Sequence, residues 1–274
     1  MSNVHFSWKL AGLTDVGLKR DVNEDSIYFN EQFGLVILAD GMGGHQGGEV
    51  ASAMAITSIR EELEKRMDAA NGTPWGDAEL AALRELMEKS VIAANQNIYA
   101  AAQTDNRYLG MGTTVVLALS NGQRLLFGHV GDSRLYRCRD GVLEQLSRDH
   151  SLVNELVDKG FYTEEEARQS TRKNVITRAL GTSDKVKVDI GEDEPRQNDR
   201  YLFCSDGLSD LCSDEEMLSI IGEHPDPVAC CQALVNAANA NGGKDNISVV
   251  IMDIQLPDPA PGKIRKTLGW LLKH

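Results

Sequence analysis

The sequence predicts an α+β fold in which two antiparallel β-sheets are covered by helices on their outer faces. Short apolar runs bounded by glycine or polar residues recur along the chain, and two long stretches repeat apolar residues at helical spacing. Strict alternation of strand and helix is absent, which argues against a doubly wound sheet or a (β/α)8 barrel. With 274 residues, 42% of them hydrophobic, the chain can bury one large core or two modest ones.

In chain order, the strand-like runs lie at 33–39, 113–119, 124–130, 134–138, 200–204 and 247–254, with a shorter one in the SIYF segment at 26–29. Asn121-Gly122 and Asp140-Gly141 are dipeptides that favour hairpin turns, so each predicts a hairpin. Ala51, Ala55, Ile59, Leu63 and Met67 form one helical stripe, and Leu80, Leu83, Met87, Val91, Ala94 and Ile98 form a second. The break between them is Asn71-Gly72-Thr73-Pro74, and a further helix is expected after Pro227. Segment 149–180 is polar, reads as short helical pieces and interrupts the strands. It predicts a subdomain or lid rather than a second core.

The net charge of −13 argues against a non-specific nucleic-acid binder, which needs a basic surface. The N-terminus shows no signal-peptide pattern, and no stretch reaches the length of apolar residues that a transmembrane helix requires. Five cysteines without regular spacing suggest neither a disulfide framework nor zinc, so a cytoplasmic protein with reduced thiols is expected. Cys138 and Cys204 sit in apolar runs and are expected to pack in the core.

The informative pattern is acidic. Asp40, Asp132 and Asp206 each follow an apolar run and lie beside glycine or in a turn, Asp245 immediately precedes one, and Glu24 and Asp25 precede SIYF. Carboxylates repeatedly placed at strand ends can converge on one edge of a sheet, where they would repel one another unless cations intervened. A set of hard oxygen donors without cysteine or histidine favours Mg²⁺ or Mn²⁺ over zinc. Gly41 would present its carbonyl with no side chain in the way.

Several motifs resemble the PPM, or PP2C-like, metal-dependent serine/threonine protein phosphatases, and among these the bacterial branch. They are Gly17-x-x-Arg20-x-x-Asn23-Glu24-Asp25, Asp40-Gly41-Met42-Gly43-Gly44-His45, the 110–114 and 130–136 segments, the 173–181 segment, Ser205-Asp206-Gly207 and the 243–247 segment, and they occur in family order across 12–254. The resemblance implies a four-layer αββα sandwich over 1–256, with 149–180 as the flap and 257–274 as a basic amphipathic extension. It implies that Asp40 bridges two ions, that Gly41 adds its carbonyl to one, and that Asp206 and Asp245 bind the other. Glu24 and Asp25 match acidic residues that hold metal-bound water, and Asp132 with Asp206 matches a third, weaker site. Arg20 matches the arginine that grips the substrate phosphate, as its forked donors suit.

The implied activity is hydrolysis of phosphoserine and phosphothreonine by direct attack of a metal-bridging hydroxide, without a phosphoenzyme. The implied partners are phosphorylated proteins, including a Hanks-type Ser/Thr kinase, and a monomer is expected. The alternative is a module of the same fold with low or specialised, small-molecule phosphatase activity; the presence of every matched carboxylate favours the enzyme. Met42 departs from relatives that carry histidine there as a general acid, which leaves a metal-bound water as proton source. His45 has no matched role, and a loop anchor is the expectation for it. Lys263, Arg265, Lys266 and Lys273 surround Ile264, Leu268, Leu271 and Leu272, a pattern open to a capping helix, a docking helix or a membrane-surface contact.

Overall fold

The computed structural model describes residues 6–43, 47–70, 75–170 and 175–256. His45 and the 257–274 extension lie outside the described residues.

Eleven strands and seven α-helices occur among these residues. One sheet has the order β1-β11-β10-β7-β8, formed by β1 (Ser7–Asp15), β11 (Ile247–Gln255), β10 (Arg200–Cys204), β7 (Arg134–Arg139) and β8 (Val142–Gln145). The other has the order β2-β3-β5-β6-β9, formed by β2 (Asp25–Asn30), β3 (Leu35–Met42), β5 (Val115–Ser120), β6 (Leu125–Val130) and β9 (Asp189–Asp193). The two-residue β4 (Gly112–Thr113) pairs with the end of β3. All the strand pairings are antiparallel.

The period-two geometry of a strand explains why the central runs are apolar throughout. On β3, Leu35, Ile37 and Ala39 face α1 (Gly47–Ala70) and α2 (Asp77–Thr104), while Val36 and Leu38 face the other sheet. On β10, Tyr201 and Phe203 fill the space between the sheets. Leu202 and Cys204 instead join α5 (Asp206–Ser209), α6 (Asp214–Glu223) and α7 (Pro227–Ala240) on the outer face. The result is three apolar layers between four layers of structure, the αββα sandwich that the sequence implied.

Both expected hairpins form. Asp140 and Gly141 take positive φ values of 53° and 76° and join β7 to β8 through a two-residue turn. Asn121-Gly122 lies in the longer β5–β6 loop, where the Asn121 side chain accepts hydrogen bonds from the backbone N–H of Gln123 and Arg124. Segment 149–180 carries α3 (Leu152–Asp158) and α4 (Glu164–Gln169). All five cysteines are free; Cys204 is buried as expected, whereas Cys138 is only half-buried because it faces outward near the β7–β8 edge. No described helix is long and apolar enough to cross a membrane.

Candidate metal centre

The strand register brings the predicted acidic residues to one end of both sheets. Asp25 opens β2 directly opposite Asp40 on β3. Val115 pairs with Val130, so the β6–β7 turn carrying Asp132 emerges at the same end. In the second sheet Cys204 pairs with both Arg134 and Val249, which brings Asp206, Asp132 and Asp245 to a common edge.

Asp40 is fixed through its backbone. Its N–H donates to Thr114 Oγ1 at 3.1 Å, and its carbonyl accepts the Thr114 N–H and the Thr113 hydroxyl, each at 2.8 Å. The side chain thus takes no part in holding the strand end. Burial raises the Asp40 carboxyl well above its ordinary range, and the charges of Asp25, Asp206, Asp132 and Asp245 add to the shift. Burial also drives Asp25 up to about 7, with Asp206 and Asp245 contributing, although Ser205 Oγ donates to its Oδ2 at 2.9 Å. Asp132 rises to about 7 through burial and the charges of Asp206 and Asp149. Asp206 rises to about 6 through burial and the charges of Asp245 and Asp210, and it shares a hydrogen bond with Asp40.

Asp25 Oδ1 and Asp132 Oδ1 are buried and have no hydrogen-bond partner. Orphaned acceptors within mutually repelling carboxyls suit a divalent cation, which supplies the missing partner and reverses the repulsion. Glu24 borders the same space, with its carboxylate accepting the Gly48 N–H in the first turn of α1, where the helix dipole favours a negative charge. Gly41 is required sterically: a Cβ there would lie 2.1 Å from the Gly48 carbonyl oxygen and 2.5 Å from that of Glu24. That crowding makes Gly41 a necessity of chain packing as well as of access to its carbonyl.

Arg20 differs from the simplest expectation. It reaches the site, but Nη2 donates to Asp245 Oδ2 at 2.8 Å, with the two side chains 49% and 37% exposed. The partner of the guanidinium is thus one of the carboxylates predicted to bind a cation. The organiser of this loop is Asn246, whose role the sequence reading missed. Its Nδ2 donates to the carbonyls of Val16 and Val22, and its Oδ1 accepts the Glu24 N–H at 2.8 Å. It lies inside a quoted motif, but its partners are more than 220 residues away.

Cys204 is two residues from Asp206, but burial pushes its thiol up to about 12, so it packs and does not react. A cleft of about 690 Å³ opens from Asp132 and Asp206 between α5–α6 and the 149–180 segment. Its floor carries the bidentate ion pair of Arg134 with Asp149.

A separate group could hold a metal by proximity alone: His129, His150 and Asp189 bring ligand atoms within 4.8 Å of one another. The imidazole rings are stacked 4.7 Å apart at 20°, so their lone pairs lie in separate, nearly parallel planes. His150 Nδ1 is engaged by the Gly131 N–H, and Arg178 Nη1 lies 3.0 Å from Nε2. Burial, His129 and Arg178 together bring the His150 ring down to about 4. These contacts describe a neutral hydrogen-bonded brace, whereas the orphaned buried oxygens of Asp25 and Asp132 lie in the carboxylate group. Mg²⁺-like ions keep several waters and take one or two carboxylates each, so their protein ligands need not crowd within the same radius.

Comparison with known proteins follows the same geometry. Residues 19–247 match the family described as protein phosphatase 2C. The chain belongs to that family. It is 39% identical over 254 residues to the serine/threonine protein phosphatase PstP of Mycobacterium tuberculosis, covering 93% of this chain and 46% of that protein. It is 36% identical over 253 residues to a putative protein phosphatase 2C-type of Streptococcus pyogenes, covering 91% of this chain and 99% of that one. The chain thus spans about half the length of the mycobacterial relative and nearly all of the streptococcal one. Among solved structures, the catalytic domain of PstP in complex with two manganese ions superposes with a TM-score of 0.77 at 38% identity, covering 91% of this chain and 99% of that chain.

Proposed function

We propose that this chain is a divalent-metal-dependent phosphatase that hydrolyses phosphoserine and phosphothreonine in proteins. The observation that carries this reading is the convergence of Asp25, Asp40, Asp132, Asp206 and Asp245 at one sheet edge, with four of their carboxyls driven up by burial and mutual repulsion. Membership of the protein phosphatase 2C family and the two manganese ions of the PstP complex support it.

In this reading Asp40, with the Gly41 carbonyl, Asp206 and Asp245 hold two Mn²⁺ or Mg²⁺ ions. Glu24 and Asp25 order water beside them, and Asp132 with Asp206 takes a weaker third. When bound, such ions supply an activated water and positive charge for in-line displacement at phosphorus. The forked donors of Arg20, which now meet Asp245, would orient two phosphoryl oxygens of the substrate, leaving Asp245 to hold a cation. Met42 has no ionisable proton to donate and ends β3 paired with Gly112. Phosphorylated proteins, a Ser/Thr kinase among them, are the proposed substrates of a monomeric, cytoplasmic enzyme. The 257–274 basic amphipathic extension is proposed to lie outside the 1–256 phosphatase domain, open to a capping, docking or membrane-surface role.

The test is turnover of a phosphothreonine peptide with Mn²⁺, with Mg²⁺ and with a chelator. Activity is expected with the metals, none with the chelator, and none for Asp40→Asn under any condition. Turnover that survives chelation would reject the reading, and a fully active Asp40→Asn would reject the bridging role.

A further inference from the structure

His150, through its ring and its backbone, ties the turn bearing Asp132 to both limbs of the flap. Its Nδ1 accepts the Gly131 N–H at 3.0 Å, and its own backbone N–H donates to the Gly131 carbonyl at 2.9 Å. Both polar backbone groups of the residue preceding Asp132 therefore end on His150. Gly131 has a φ of +108°, and a Cβ there would lie 2.6 Å from the Thr114 side chain, so this turn accepts glycine alone.

On the flap side, the His150 carbonyl accepts the Thr177 N–H at 2.8 Å, and Ser151 pairs with Ile176. The incoming and outgoing limbs are thereby joined beside the turn. On the far side, Nε2 donates to Asp189 Oδ2 at 3.1 Å, and Asp189 Oδ1 accepts from Arg178 Nη1 at 3.1 Å. Because the Gly131 N–H can only donate, Nδ1 accepts and the ring proton is assigned to Nε2, which faces both Asp189 Oδ2 and Arg178 Nη1, so the two nitrogens do different work. His150 is 6% exposed and touches neither Arg20 nor Asp40 by any hydrogen bond.

Asp132 needs such support. Its Oδ1 is buried without a partner, so its aim depends on the backbone that carries it. We propose that His150 is a positioning residue which, through Gly131, holds the Asp132 carboxylate where it and Asp206 share one divalent cation. The Nδ1 contact sets that cation's affinity, and the Nε2 contact to Asp189 only steadies the ring. This rests on the reading that Asp132 and Asp206 form a weak cation site.

Two near-isosteres separate the nitrogens. His150→Asn keeps an acceptor near the Nδ1 position and loses the reach to Asp189. His150→Gln keeps a donor near the Nε2 position and loses the acceptor for Gly131. Mn²⁺ binding to the full chain is measured by calorimetry and by the EPR signal of free Mn²⁺, with thermal unfolding as the folding control. The Gln variant is expected to weaken the low-affinity class of sites about 10- to 100-fold, in line with the loss of a residue that orients a metal ligand. Its tight sites, and its turnover of an aryl phosphate at saturating Mn²⁺, are expected to hold. The Asn variant is expected to stay close to wild type in both.

Equal losses in the two variants, or none in either, would overturn the positioning role. If one variant fails to fold, Asp189→Asn takes its place: it leaves Gly131 untouched and is expected to preserve the weak class, so a loss there also overturns the proposal. A wild-type chain with tight sites but no weak class removes the cation reading of Asp132 itself, a failure distinguishable because the tight sites and turnover remain.

Discussion

At the residue scale, Arg20 has the geometry of a surface ion pair. It is half-exposed and paired with Asp245, an arrangement that adds about 0–1 kcal/mol of stability at most. Replacing it with alanine is expected to leave the melting temperature nearly unchanged. The effect appears in catalysis, because charge-assisted hydrogen bonds to phosphate are worth about 1.5–3 kcal/mol each. A fall in kcat/KM of about 10- to 100-fold, carried mainly by KM, is therefore expected in steady-state assays. A fall in kcat alone would give Arg20 a role other than phosphate binding. The acidic residues were legible from sequence because each stands at a strand end, and strand ends are visible as the limits of apolar runs. Ser205, Thr114, Asn246 and His150 were not, since their roles are set by partners that only the folded chain brings near.

At the scale of elements, the loop from Val16 to Glu24 has no secondary structure of its own beyond turns, and Asn246 holds it through three hydrogen bonds. Asn246 is 4% exposed, so alanine there strands buried carbonyls and an N–H. Asn246→Ala is expected to cost about 1–3 kcal/mol in denaturant unfolding and to raise KM in parallel, because the loop carries Arg20. An unchanged KM with lowered stability would separate the loop from phosphate binding. The same contrast explains which elements the sequence revealed. The central strands β3, β5, β6, β10 and β11 bury both faces and read as continuous apolar runs. β1 and β9 lie at sheet edges with mixed burial, and the DIGED segment of β9 carries no apolar alternation to find. The long stripes of α1 and α2 were plain, whereas the four-residue α5 is too short for a helical period to show.

At the scale of the whole molecule, the charge of −13 separates into a solvated surface and a buried acidic centre strained by the mutual repulsion of its carboxylates. Asp132 makes that strain measurable. Its ordinary value is 3.8 and its folded value is about 7, so between these limits the folded chain binds a proton that the unfolded chain has released. Stability from this group is therefore full below about pH 3.8 and is lost as pH rises through about 7 in chelated protein. The buried histidines His129 and His150 act in the opposite direction, because their folded values are lowered, so wild-type pH curves alone mix the two. Comparison with Asp132→Asn removes that ambiguity, since the histidines are common to both proteins. In chelator, the variant is expected to match wild type near pH 4 and to exceed it in stability by pH 8, by on the order of a few kcal/mol for a group this buried. With Mn²⁺ the gap narrows above neutral pH, because the wild type gains binding energy that asparagine forfeits, about 2.7 kcal/mol at a hundredfold excess over Kd. Thermal unfolding at the two pH values, with and without Mn²⁺, checks all four states, and a chelated variant no more stable than wild type at pH 8 would mean that Asp132 carries no strain for a cation to relieve.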